Sequence, residues 1–220
     1  MHRPYVTLRE TPADGTAPLL LRPWTREDAA ALVRHHRDPQ LRAWLATHLD
    51  TTAQARAWVD AQRRGWAAGT RAAFAVVEDL GLPRLPAPVG HIALTATEPS
   101  TGTEPSTATE PSTATEPGAQ PSAATPAAPV RAGYWTAPEA RGRRIASRAL
   151  VLAAGWAAGP DSPFGGRTLE LVHAVGNEGS CRTALAGGFA LSGTLPASPG
   201  RPRAQHLHTA ATGQRPAREA

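Results

Sequence analysis

The sequence predicts an α/β fold: a mixed, largely antiparallel sheet flanked by helices. Three observations point there. Alternating apolar runs and runs at helical spacing follow one another in the order β-αα-β-β-β-α-β-α-β-β. The 220 residues are 41% hydrophobic, enough for one sizeable core. In the middle of the chain, Gly133 to Leu150 runs from an aromatic strand through a basic glycine turn into an amphipathic helix.

Taken in order, residues 1–17 mix polar, Gly and Pro residues and are expected as a flexible leader. Leu19-Leu-Leu-Arg-Pro23 is a first strand. Thr25-Arg-Glu-Asp28 fits a capping box before a helix whose face holds Ala29, Leu32, Val33 and His36. Asp38-Pro39 breaks that helix, and a short helical piece carries Leu41, Trp44 and Leu45. Thr51 or Thr52 caps a third helix with Ala55, Trp58, Val59, Gln62 and Trp66 on one face, closed by Gly69. Ala72–Glu78 and Val89–Thr95 are strands of a hairpin, the second with Ile92 and Leu94 on one side and His91 on the other. After the central strand, turn and helix come a strand over Thr168–Val175, a short helix over Asn177–Ala186, a strand over Phe189–Leu195 and a last strand over His206–Thr212.

One segment breaks the pattern. From Thr97 the chain repeats TEPSTG or TEPSTA with a period of six, and residues 120–129 keep the same composition. A Pro in each repeat and no large apolar residue leave nothing to bury, so 97–129 is expected as a disordered insertion in one hairpin rather than a domain boundary. Loop-closure entropy grows only logarithmically with length, so the scaffold tolerates it. A glycosylated stalk and a tether for a partner are the rival readings. The domain is then 18–213, interrupted by 97–129, with a disordered tail over 214–220.

Composition narrows the function. All 23 basic residues are Arg, and the absence of Lys excludes a P-loop and a Schiff-base mechanism. The single Cys excludes an intramolecular disulfide and a Cys-cluster zinc site and fits a reducing compartment. No apolar run nears the ~18 residues of a membrane span, and the first residues lack a signal-peptide core, so a cytoplasmic location without membrane attachment is expected. Net charge is +5. A basic balance suits a polyanionic cofactor or nucleic acid, but no helix-turn-helix or aromatic-basic motif joins it, and nucleic acid is not expected.

The central stretch has its own chemistry. A strand, the turn Arg141-Gly142-Arg143-Arg144 and a helix start at Ile145 make a recipe for phosphate: first-turn N–H groups lack partners within the helix, and the helix dipole favours an anion there. Gly133-Tyr-Trp-Thr-Ala-Pro-Glu-Ala-Arg-Gly142, followed by Asn177-Glu-Gly-Ser180 and Gly188-Phe189, resembles the paired motifs of the GNAT N-acetyltransferases, more narrowly their RimJ/RimL-like group. The likeness extends more loosely from about Leu19 to Thr212, apart from the insertion.

The resemblance implies acetyl transfer from acetyl-CoA, as co-substrate and without a metal, to a primary amine such as a protein N-terminus or a small molecule. It implies that the strands Gly133–Thr136 and Thr168–Val175 splay to admit the pantetheine arm. It implies that backbone groups of Arg141, Gly142, Arg143, Arg144, Ile145 and Ala146 hold the pyrophosphate, those of Trp135 and Thr136 and the amide of Asn177 hold the pantetheine, and Ser180 protonates the leaving thiolate. The family pattern R/Q-x-x-G-x-G/A places a glycine where this sequence has Arg144. No family-like acidic base is found: Ser192 and Pro199 fill its region, leaving His173, His206 and His208 as candidates. His206 and His208 can share a side, but without a third ligand a metal site is not expected. A missing base is tolerable for an α-amine, whose pKa near ~8 leaves a useful neutral fraction. The alternative function is a module that holds acyl-CoA without turnover and engages a partner through the repeat. The oligomeric state stays open.

Overall fold

The computed structural model describes residues 5–11, 15–83, 86–97, 127–199 and 202–210. Along the chain run β1 (Leu8–Arg9), β2 (Leu19–Pro23), α1 (Ala29–His36), α2 (Pro39–Trp44), α3 (Thr52–Ala68), β3 (Arg71–Glu78), β4 (Gly90–Ala96), β5 (Val130–Thr136), α4 (Ile145–Ala157), β6 (Leu169–Ala174), α5 (Glu178–Ala186), β7 (Ala190–Leu195) and β8 (Gln205–Ala210). The strands form one sheet in the order β1-β2-β3-β4-β5-β6-β8-β7. Every pairing is antiparallel except β5 with β6.

Local signals account for most boundaries. Thr25 N donates to Asp28 Oδ2 at 2.9 Å ahead of α1. Asp38 caps α2, accepting from Leu41 N at 2.8 Å, with Pro39 in the first helical position, where its missing N–H costs nothing. Thr51 and Gln54 form a reciprocal box at the start of α3, and Gly69, at φ +68°, ends it.

The sheet separates two cores. Phe74, Val76, Ile92 and Leu94 meet Ile145, Leu150 and Phe164 on the α4 side. On the α1 side the alternate positions Ala73, Ala75 and Ala93 are small and leave room for Trp24 and Trp135. Trp24 and Trp58 meet edge to face, with ring centroids 5.5 Å apart.

Three expectations need correction. The leader over 1–17 contains β1, whose Leu8 pairs with Leu21; Glu10 accepts from Leu19 N at 2.9 Å and from Arg148 Nε at 2.9 Å. A two-residue strand has no periodicity to detect. Helical spacing puts Ile145, Ala149, Leu152, Ala153 and Trp156 on one apolar face of α4, but the buried face is rotated: Leu150 and Ala157 are buried with Ile145, Ala149 and Ala153, while Leu152 and Trp156 are only partly covered. Leu150 is drawn in because α5 ends against it at Gly187, where a Cβ would fall 2.6 Å from Leu150 Cδ2. The strand Thr168–Val175 stops at Ala174, leaving Val175 40% exposed.

Most of the insertion, residues 98–126, lies outside the described residues, as do 211–220. The ends of the insertion meet. Thr97 N donates to Pro129 O at 3.1 Å, and Arg167 donates to Ala128 O at 2.5 Å and Thr97 O at 3.3 Å. β4 and β5 pair along their whole lengths, Gly90 with Thr136 through Ala96 with Val130. The repeat therefore interrupts a hairpin.

Candidate active site

β5 and β6 pair only from Val130/Leu169 to Ala132/Leu171; beyond that β6 stays with β8 while β5 continues to Thr136 beside β4. The strands part there, and the edge of β5 from Gly133 to Thr136 is unpaired on its β6 side. Such an edge can hydrogen-bond an extended ligand lying in the gap.

The turn below the gap is built from backbone conformation. Pro138–Ala140 form a 3-10 turn; Gly142 follows at φ +76° and Arg144 at φ +57°. Arg144 is the one non-glycine residue with positive φ among the described residues. It adopts the conformation a glycine would take freely, at a cost of roughly 1–2 kcal/mol for an L-residue. With Arg144 as N-cap, α4 begins with the free first-turn N–H groups of Ile145, Ala146 and Ser147. The guanidiniums divide. Arg141 pairs with Asp38, whose carboxyl is held below the usual carboxylate range by this contact, and Arg143 pairs with Glu78. Arg144 has no carboxylate partner among the described residues and lines the cleft.

This cleft has a volume of about 560 Å³. It gathers Trp135, Thr136, Arg141, Gly142, Arg144, Ile145, Ala146, Asn177 and Ser180 from three separate stretches, all expected from the sequence. Arg143 is not in the lining; its side chain turns to the end of β3. Asn177 caps α5, its Oδ1 accepting from Ser180 N at 3.1 Å, which leaves its NH₂ for other partners. Tyr134, read from the sequence only as part of an aromatic strand, donates its hydroxyl to Ser180 O at 3.2 Å, and burial raises its pKa.

A second cavity of about 410 Å³ adjoins the cleft along β5. Leu45, Tyr134 and Trp135 line both cavities, so the two meet there. Its polar lining includes His36, Arg71, His91, Thr95 and Arg131, with no carboxylate among the described lining residues. Arg71 is engaged with Gln62 Oε1 at 2.6 Å and Thr95 Oγ1 at 2.5 Å but has no acidic partner among the described residues. His91 Nδ1 lies 3.0 Å from Trp24 Nε1. An indole N–H can only donate, so that nitrogen accepts from it, although Phe74 O also lies 3.2 Å away, and burial pushes the His91 pKa down to about 3. Burial also lowers His36, and both its ring nitrogens are shut away without a hydrogen-bond partner among the described residues.

The base candidates His173, His206 and His208 line neither cavity. They gather with Cys181 beneath α5. The expectation that His206 and His208 lack a third neighbour is therefore corrected: strand pairing brings His173 from β6, and the helix brings Cys181.

A parted parallel strand pair above a helix start suits a ligand with an extended arm and an anionic end. The chain belongs to the GNAT acetyltransferase domain family, whose model matches residues 18–190, and it is an N-acetyltransferase of that family. No curated protein matches the sequence. Solved structures share the fold at low identity. Mycobacterium smegmatis RimJ in complex with CoA-disulfide has a TM-score of 0.66 at 19% identity, covering 99% of this chain and 93% of that one. RimL, a ribosomal L7/L12 alpha-N-protein acetyltransferase in complex with coenzyme A, has 0.63 at 16%, covering 91% and 96%. The microcin C7 self-immunity acetyltransferase MccE, in complex with acetyl-CoA and AMP, has 0.64 at 12%, covering 90% and 93%. Among the described residues no helix is long and apolar enough to cross a membrane.

Proposed function

We propose that the protein transfers the acetyl group of acetyl-CoA to an α-amine, that of a protein N-terminus or of a small molecule carrying a carbonyl or carboxylate beside the amine. The observation that carries this reading is the acceptor cavity, which holds a half-buried Arg71 and no described carboxylate. A nearby cation disfavours the ammonium form of a bound amine and favours its neutral, nucleophilic form. An α-amine needs little such help, because its pKa starts near ~8; a Lys ε-amine near ~10.4 needs far more. The same guanidinium suits the carbonyl or carboxylate next to an α-amine.

In this reading the pyrophosphate rests on the N–H groups of the 141–146 turn and the pantetheine follows the free edge of β5 at Trp135 and Thr136, beside Asn177. The neutral amine attacks the thioester carbonyl near Tyr134, the C–S bond breaks, the departing thiolate takes a proton from Ser180 or Tyr134, and the proton shed by the new amide nitrogen returns to that hydroxyl through water. The names of RimJ and RimL-type neighbours, one of them an alpha-N-protein acetyltransferase, support a protein N-terminus as acceptor.

The test is thiol release from acetyl-CoA with two peptide sets, one with free N-termini and no Lys, the other Nα-blocked with one Lys. Turnover of the first set alone is expected, with a rate rising along the titration of the acceptor amine. Equal or faster use of the Lys set would overturn the α-amine assignment. Calorimetry showing no acetyl-CoA binding by the folded protein would overturn the whole reading.

A further inference from the structure

Beneath α5 the sheet carries three imidazoles and a thiol that acetyl transfer does not use. His173 on β6 stands opposite His206 on β8, and His208 lies two residues along, so the three rings share one face. Cys181 descends on them from the first turn of α5, and one ligand atom from each of the four residues lies within 4.8 Å of all the others. His208 is fully buried and His173 is 7% exposed.

The carbonyl contacts favour one tautomer in each ring. His173 Nδ1 lies 3.0 Å from Ala174 O, and His208 Nδ1 lies 3.3 Å from Phe189 O. A carbonyl only accepts, so in each neutral ring the hydrogen sits on Nδ1 and Nε2 carries a lone pair. Those two lone pairs face each other at 3.2 Å. Two acceptors in a buried site repel unless a cation joins them. His206 adds a buried Nδ1 with no hydrogen-bond partner among the described residues.

A metal ion supplies that cation with the right dimensions. An ion ~2.0–2.1 Å from two nitrogens 3.2 Å apart subtends ~100° between them, close to tetrahedral. Imidazoles whose other N–H is held by a carbonyl are oriented as metal ligands usually are. We propose that His173, Cys181, His206 and His208 bind one zinc ion in a closed His₃Cys site. Four protein ligands leave no open position, so the ion is structural. It ties the start of α5, which carries Asn177 and Ser180, to β6 and β8. This inference does not depend on the identity of the acceptor.

The test uses the full chain, stripped with a chelator and titrated with Co²⁺ as a spectroscopic probe. The expected result is tetrahedral d–d bands in the visible and a thiolate-to-cobalt band in the near ultraviolet, saturating at one equivalent and displaced by Zn²⁺. Cys181→Ser, a near-isosteric change at a half-buried site, is checked for folding by circular dichroism. It should lose the thiolate band and bind zinc more weakly by more than the ~10–100-fold that an outer-shell loss costs. His206→Gln should lose the tetrahedral bands, and zinc should raise the melting temperature of the wild type but not of His206→Gln. A folded wild type that shows no tetrahedral cobalt spectrum, or variants whose spectra match the wild type, would overturn the proposal.

Discussion

The two cavities that meet at Tyr134 and Trp135 are made in opposite ways. The cofactor cleft is built from nearly contiguous chain: the end of β5, the 141–144 turn and the start of α4, joined by the start of α5. In the proposed reading its working groups are mostly backbone N–H groups, and the turn that carries them has positive φ at Gly142 and Arg144. The acceptor cavity is assembled from side chains on α1, α3, β3, β4 and β5, with His36 and Tyr134 far apart in the chain. A backbone site tolerates side-chain change but not conformational change; a side-chain site behaves the other way round.

The largest effect that would sharpen this contrast is on stability in acid. The pKa of His91, on the acceptor side, is lowered by burial first and by the Arg71 charge second, from 6.5 to about 3. Burial lowers His35 and His36 in the same direction. A depressed folded pKa means the unfolded chain binds more protons, so the stability is intact above pH 6.5 and drains away as pH falls towards 3. The slope approaches ~1.4 kcal/mol per pH unit for each such group. Denaturant titrations at steps of pH should show this loss, and His91→Asn, which keeps an acceptor for Trp24, should flatten it. An unchanged slope in that variant would remove His91 as its source.

Next comes catalysis. Arg71→Met should lower kcat/KM for α-amine peptides at pH 7 by about tenfold for each unit by which the bound amine's pKa recovers, and should move the alkaline rise of the profile upward. Acetyl-CoA affinity should stay within about twofold of wild type, because the cofactor side does not use this side chain. A parallel loss of acetyl-CoA binding would merge the two cavities into one site and break the comparison.

The same contrast explains what was legible in the sequence. The strand, turn and helix around Gly142 are a local pattern, so nine of the ten residues singled out for the cofactor and for thiolate protonation line one cleft; the tenth, Arg143, turned away because Glu78 sits 65 residues earlier at the end of β3. Helix caps at Asp38 and Thr51 were legible for the same reason. Arg71 and His36 were not, since each sits in an ordinary apolar pattern and acquires meaning only when the sheet brings β3, β4 and α1 together. The His/Cys cluster needed both the His173/His206 register and the seat of α5. Among these groups His206 and His208 alone, two residues apart on one strand, left a local trace.

On the cofactor side a change of conformation should outweigh a change of side chain. Gly142 sits at φ +76° with nothing within 4 Å of a built Cβ, so a substitution there meets no clash and suffers only from its backbone. A β-branched residue at positive φ is a genuine outlier, and relieving it must move the N–H groups of the turn. Gly142→Val should weaken acetyl-CoA binding by about tenfold, the equivalent of the ~1–2 kcal/mol of left-handed strain. Unaltered binding measured by calorimetry would mean that the turn does not position the phosphates.

The smallest effect is the most discriminating. Arg144→Gly removes the strain of an L-residue at φ +57° but adds freedom to the unfolded chain, worth roughly 0.5–1 kcal/mol against it. The net should be a gain of roughly 0–1.5 kcal/mol, with each ~1 kcal/mol raising the melting temperature by ~2–4 °C for a domain this size. If backbone N–H groups hold the pyrophosphate, acetyl-CoA affinity should be unchanged within about twofold, because glycine presents the same N–H at the same φ. A loss of tenfold or more would show that the Arg144 guanidinium, unpaired with any described carboxylate, grips the phosphates itself. The cofactor cleft would then be a side-chain site like its neighbour, and arginine at this position would be retained for its charge in spite of its backbone.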